Sequence, residues 1–123
     1  MLAFCAARLD RLDADEGERA LSLEGFLLHY RNLIRFLSGK HHRRDDISTA
    51  NCMAWAGREL TASETTAIRN AAAALDDAYD DHISKYLQHC TAARYEIDRS
   101  WDVRQMAAEL SPIVEEFERA FPR

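Results

Sequence analysis

The stretch Leu21–Leu37, LSLEGFLLHYRNLIRFL, decides the fold. It is the most apolar run of the chain and contains no proline. Wound as a helix and centred on Tyr30, it puts Leu23, Phe26, Leu27, Leu33, Ile34 and Leu37 within roughly 60° of that centre. His29 and Phe36 widen the arc on one flank, Leu28 falls on the back, and Glu24, Arg31 and Arg35 form the one wet strip. A helix apolar around so much of its circumference needs cover on more than one side. The stretch is therefore expected to be a central helix, with the rest of the chain packed around it.

Working outward, this helix is expected over about 17 to 38. Asp13 or Asp15 is placed to cap its start, and Ser38-Gly39 to stop it with Gly39 just past the end. Upstream, Leu2, Cys5, Leu9 and Leu12 recur at three- and four-residue steps and predict a first helix over about 2–13. The acidic linker leaves open whether that helix runs on into the next. Downstream, Lys40-His41-His42-Arg43-Arg44-Asp45-Asp46 is a basic cluster followed at once by two acids, and reads as a solvated loop. The connection from 39 to about 60 is long for a compact domain, so it is either functional or hides a short helix over 47–56.

Thr61-Ala-Ser-Glu64 has the capping-box pattern and opens a long helix running to about 93. Its seam is Ile68, Ala72, Leu75, Tyr79, Ile83, Tyr86 and Cys90, with Asp76, Asp77, Asp80 and Asp81 assigned to the solvated face. Ser100 or Asp102 caps a last helix with the seam Val103, Met106, Leu110, Ile113 or Val114, Phe117 and Phe121. Pro112 inside it predicts a kink, because an interior proline costs ~3 kcal/mol. No strand signal occurs. The expectation is an all-α four-helix antiparallel bundle with a long loop between its second and third helices, one domain over 1–123.

Bulk properties exclude several function classes. A net charge of −5 and a pI of about 5.5 give no global basic field for DNA. The three cysteines are odd in number, widely spaced and without C-x-x-C, as expected of reduced thiols in the cytoplasm. The N-terminus lacks the pattern of a signal peptide, and no run approaches the ~20 apolar residues of a membrane span. No nucleophile elbow, phosphate-binding glycine loop or H-E-x-x-H occurs, so no cofactor is expected.

Two groups of residues carry candidate chemistry. His29, His82 and His89 form the first. With His29 packed against them, the three could bind a transition metal, although two turns, about 10 Å, separate the other two. The plainer reading is boundary histidines bonded to Tyr30, Tyr86 or backbone. Arg31 and Arg35 form the second. Such a strip can hold a phosphate or carboxylate, or be an ordinary surface ion-pair row.

Read together, His29-Tyr-Arg-Asn-Leu-Ile-Arg-Phe-Leu37, Asp45-Asp46-Ile47, Ile83-Ser-Lys85-Tyr-Leu-Gln-His89-Cys-Thr91-Ala-Ala-Arg94 and Trp101 show a family likeness. The chain resembles a family of small bacterial helical proteins of unknown function, patterned H-A-R-N-L-x-x-F, D-D, I-x-K-x-x-x-H-x-T-x-x-R and W. The resemblance covers about residues 20–121 and brings no activity with it. It implies that His29, Arg31, Asn32, Asp46, Lys85, His89, Thr91 and Arg94 are the positions that matter.

More distantly the chain is similar to HEPN domains, which are helical bundles, commonly dimeric, many of them metal-independent ribonucleases of toxin and defence systems. Their signature is an Arg four to six residues ahead of a His. Ahead of His89 stand His82, Ile83 and Ser84, with no Arg. Arg35 and His41 have the spacing, but the stop at Gly39 puts that His in a loop.

The functional expectation is a non-enzymatic binding or interaction module, a homodimer or the partner of another protein, with no membrane partner. Its binding positions would be His29, Asn32, Arg35, Asp46 and Thr91. One alternative is a ribonuclease acting on RNA, with His89 shuttling protons and Arg31, Lys85 or Arg94 stabilising the transition state. The other is a metal-binding bundle built on His29, His82 and His89.

Overall fold

Asp15 starts the central helix. Its backbone is extended (φ −72°, ψ 169°) and its side chain accepts the Glu18 N–H at 2.7 Å, so α2 (Glu16–Ser38) begins anew and does not continue α1 (Leu2–Leu9). In the computed structural model the described residues are 2–9, 15–41, 43–56, 60–88 and 101–119. Three further helices are α3 (Thr49–Ala56), α4 (Ala62–Gln88) and α5 (Val103–Glu118). Among the described residues the protein is all-helical.

Each helix end has a local cause. Gly39 closes α2 in the left-handed conformation (φ 68°), its N–H bonded to the Arg35 carbonyl. The expected short helix inside the long connection is α3, opened by a reciprocal pair in which the Asn51 amide N–H reaches Ser48 Oγ and Asn51 Oδ1 accepts the Ser48 N–H. Thr61 and Glu64 form the capping box of α4, at 2.9 and 3.1 Å. Asp102, not Ser100, caps α5 through the Gln105 N–H. Helix α5 runs through Pro112, which is exposed, and Met106, Leu110 and Ile113 stay buried on either side of it.

Helix α2 packs against α4 and α1, and α5 closes against α4 and α1. The pairs Cys5 with Gly25 and Arg8 with Glu18 make α1 antiparallel to α2. The pairs Arg31 with Ser84 and Arg35 with Asp80 do the same for α2 and α4, and Tyr86 with Trp101 and Tyr79 with Glu109 for α4 and α5. A Cβ on Gly25 would lie 2.9 Å from Cys5 Sγ, which is why α1 can approach so closely there. The core holds Phe26, Leu27, Tyr30, Ile34 and Leu37 of α2, Ile68, Ala72, Leu75 and Ile83 of α4, and the α5 seam. These are the positions the apolar periodicity selects.

Two expectations are corrected. The strip assigned to water on α2 is not wet at Arg31, which is 7% exposed, and Arg35 is half-buried. Asp76 and Asp80, assigned to the solvated face of α4, are buried. Both lie one helical step from the Ala72 and Ile83 line and face the end of α2, where Arg35 bonds Asp80 while Lys40 and His41 reach Asp76. The apolar circumference of α2 is covered within the chain, leaving Leu21 and Leu28 exposed. No helix among the described residues is long and apolar enough to cross a membrane. Leu12, Cys90 and Phe121 lie outside the described residues.

Candidate polar site at the end of the central helix

Arg31 and Arg35 are one turn apart on α2, and Asp76 and Asp80 are one turn apart on α4. The antiparallel packing sets the two pairs face to face. Arg35 grips Asp80 with two hydrogen bonds, Nε to Oδ1 at 2.6 Å and Nη2 to Oδ2 at 2.9 Å. Arg31 and Arg35 both reach Ser84 Oγ at 3.4 Å. The left-handed turn at Gly39 then carries the chain back over α4. Lys40 bonds Asp77 and lies 3.5 Å from Asp76 Oδ2. His41 Nε2 sits 3.1 and 3.3 Å from the two Asp76 oxygens and 3.7 Å from Asp80 Oδ2.

The charges respond to this arrangement. Burial alone would raise the Asp80 pKa, but the hydrogen bonds and charge of Arg35, helped by His41 and Arg31, hold its carboxyl below the usual carboxylate range. The Asp80 hydrogen bond raises Arg35 in turn. Burial lowers Arg31, the like charge of Arg35 lowers it further, and Asp80 partly offsets both. The cluster is an ion network with every member named above engaged.

A cleft of about 850 Å³ opens beside it, between the end of α2, the 39–48 turn and the start of α3. Asn32, Arg35, His41, Arg43, Asp46 and Arg69 line it. Asp46 shapes the turn by accepting the Arg43 N–H at 2.7 Å. A second groove, about 620 Å³, runs between α1, α2 and α5 along His29, Leu33 and Leu110.

The structure thus gathers three expected binding positions, Asn32, Arg35 and Asp46, on one cleft, and sends His29 to the other groove, which Asn32 also borders. Of the expected catalytic set, Arg31 is turned onto Ser84, and Lys85 is exposed and paired with Asp81. His89, Thr91 and Arg94 lie outside the described residues. Of the histidines considered for a metal, His29 faces α1 and α5 while His82 is exposed on α4. Among the described residues the grouping with metal-ligand geometry is a different one, His41, Asp76 and Asp80. The sequence did not single it out: Asp77 and Asp81 have the same i, i+4 spacing as Asp76 and Asp80. Comparison with models of protein families, with curated proteins and with solved structures finds no match for the chain.

Proposed function

We propose that this chain is a helical-bundle binding module that pairs with a second copy of itself through the cleft at the end of α2 and the adjoining face of α3. The observation that carries the reading is the convergence of Asn32, Arg35 and Asp46 on one open cleft. The cleft also has an apolar side. Ile47, on its rim, is 59% exposed, and Trp55 on neighbouring α3 is 71% exposed. Ile47 and Trp55 would supply the apolar centre of such an interface, and the paired charges of the cleft its polar rim.

Light scattering on the eluting protein, with native mass spectrometry, tests this. A dimer is expected at micromolar concentration, and Trp55→Glu is expected to yield a monomer with unchanged helix content. A wild-type monomer would end the reading.

A second reading is a HEPN-type ribonuclease. It is favoured by the approach of Arg35 and His41, which carry the family spacing, to the same Asp80 carboxylate beside the cleft. In that case His41 takes the proton of the 2′-hydroxyl as that oxygen bonds to phosphorus, and Arg35 offsets charge on the phosphorane. The P–O5′ bond then breaks, with the 5′-oxygen taking up a proton from His41 or water. Short RNA incubated with wild type, His41→Ala and Arg35→Lys decides it. Cleavage lost in both variants supports the nuclease, and equal survival of RNA in all three removes it.

A further inference from the structure

We infer that His41, Asp76 and Asp80 form a binding site for a divalent transition ion, with Zn²⁺ the best-matched probe. The site adjoins the cleft of the dimer reading, because His41 lines both, but its ligand geometry is set within one chain. Its basis is geometric. Ligands bound at about 2.1 Å around a tetrahedral centre stand roughly 3.4 Å apart. His41 Nε2 lies 3.1 Å from Asp76 Oδ1 and 3.7 Å from Asp80 Oδ2, bracketing that spacing. All three ligand atoms lie within 4.8 Å of one another.

The site differs from a surface cluster of acids. Its two carboxylates are buried, with 6% and 8% residue exposure. They project from one rigid helix at i and i+4, the spacing at which two side chains on a helix can share an ion, unlike the two-turn separation of His82 and His89. The third ligand is an imidazole from a separate element, held in place by the Gly39 turn. One nitrogen with two carboxylate oxygens matches ions of borderline softness rather than Mg²⁺ or Ca²⁺, which take oxygen alone. His41 is exposed on its outer side, which leaves an entry path and room for water as the remaining ligand.

The neighbouring cations have definite places in such a site. Arg35 fills one lone pair on each Asp80 oxygen, and a carboxylate has about four acceptor positions, so Asp80 Oδ2 can still coordinate. Arg35 would then act as the outer partner that fixes the orientation of Asp80. Lys40 stands where an incoming ion would be felt, 3.5 Å from Asp76 Oδ2. Its bond to Asp77 gives the ammonium a partner once it leaves Asp76. In the ion-free protein Lys40 therefore serves as a substitute cation for the site.

Calorimetric titration of the purified protein with Zn²⁺, and separately with Mg²⁺, tests the inference in wild type, His41→Ala, Asp76→Asn and Lys40→Met. Saturable binding of one Zn²⁺ per chain is expected. It should weaken by about tenfold or more in His41→Ala and Asp76→Asn, and tighten in Lys40→Met. Mg²⁺ should bind more weakly than Zn²⁺. Should Asp76→Asn fail to fold, His41→Ala still decides, because its side chain is exposed and its loss leaves the core intact. Absence of saturable Zn²⁺ binding, equal affinity in His41→Ala, or weaker binding in Lys40→Met would each overturn the site. Zn²⁺ binding that depends on His41 would also count against the nuclease reading, since a ligated imidazole cannot carry the proton.

Discussion

Helix α2 meets α4 along two parallel seams that are built on different physics. One is apolar: Tyr30 stands edge-on to Tyr79 with ring centroids 5.7 Å apart, beside Phe26 and Ile34. The other is ionic: Arg31, Arg35, Lys40 and His41 against Asp76, Asp77, Asp80 and Ser84. The apolar seam gains from every Å² removed from water, whatever lies opposite. The ionic seam gains only if each charge finds its partner, because desolvating an ion costs several kcal/mol before any attraction offsets it. The first is therefore expected to set stability and the second to set register and the position of the 39–48 turn.

The largest effect expected from this contrast is on the apolar side. Phe26 is fully buried and its ring centroid lies 5.7 Å from that of Tyr30. Phe26→Ala should lower unfolding free energy by about 4 kcal/mol in urea titration. A loss under 2 kcal/mol would mean that α2 is not the centre of the core.

The next effect is on the ionic side. Asp80→Ala leaves Arg35 and Arg31 facing each other without their counter-charge, and should cost about 2 kcal/mol. That lies below the range for a wholly buried pair, because the Arg35 side chain is 33% exposed and solvent screens it. The double variant Arg35→Met with Asp80→Leu should recover most of the loss, since an apolar pair of similar volume carries no desolvation cost. A double variant as unstable as the sum of the two singles would show that the charges act independently, and the contrast between seams would fail.

The same contrast explains which features were legible in the sequence. Apolar periodicity is a property of one helix at a time, so Ile68, Ala72, Leu75 and Ile83 on α4 and Met106 and Leu110 on α5 could be assigned to the core without knowing their partners. Caps are local as well, and Asp15, Gly39, Thr61 with Glu64, and Asp102 sit where their chemistry requires. An aspartate next to an apolar seam has no such signature. Asp76 and Asp81 are the same residue type on the same helix, yet the first is buried and the second exposed. The difference is whether the turn after α2, with Lys40 and His41, or water lies opposite. His41 was read as part of a solvated loop for the same reason: only the Gly39 turn, acting at a distance from α4, brings it to Asp76. The cleft positions Asn32, Arg35 and Asp46 were named from a pattern of residues, and nothing in that pattern said that a turn would gather them.

Tyr30 sits where the seams meet and gives the finest test. Its ring belongs to the apolar seam, but its hydroxyl is buried and has no hydrogen-bond partner among the described residues. Burial pushes its pKa well above the ordinary tyrosine value, and the negative charges available on Tyr79 and Glu109 push it the same way. The folded protein thus holds this proton more tightly than the unfolded chain does. The resulting stability is fully present below the unfolded pKa of about 10 and is lost progressively above it, where the unfolded chain ionises and the folded one does not. Wild-type urea midpoints should accordingly fall as pH rises past 10, and Tyr30→Phe should flatten that fall. Any slope that remains belongs partly to Tyr79, which burial and its bond to Glu109 also raise. At neutral pH the same substitution removes a polar atom that gains nothing from its surroundings, so it should be neutral or stabilising by up to about 1 kcal/mol. A loss of more than that at neutral pH would mean the hydroxyl has a partner after all, and would move Tyr30 from the apolar seam into the ionic one.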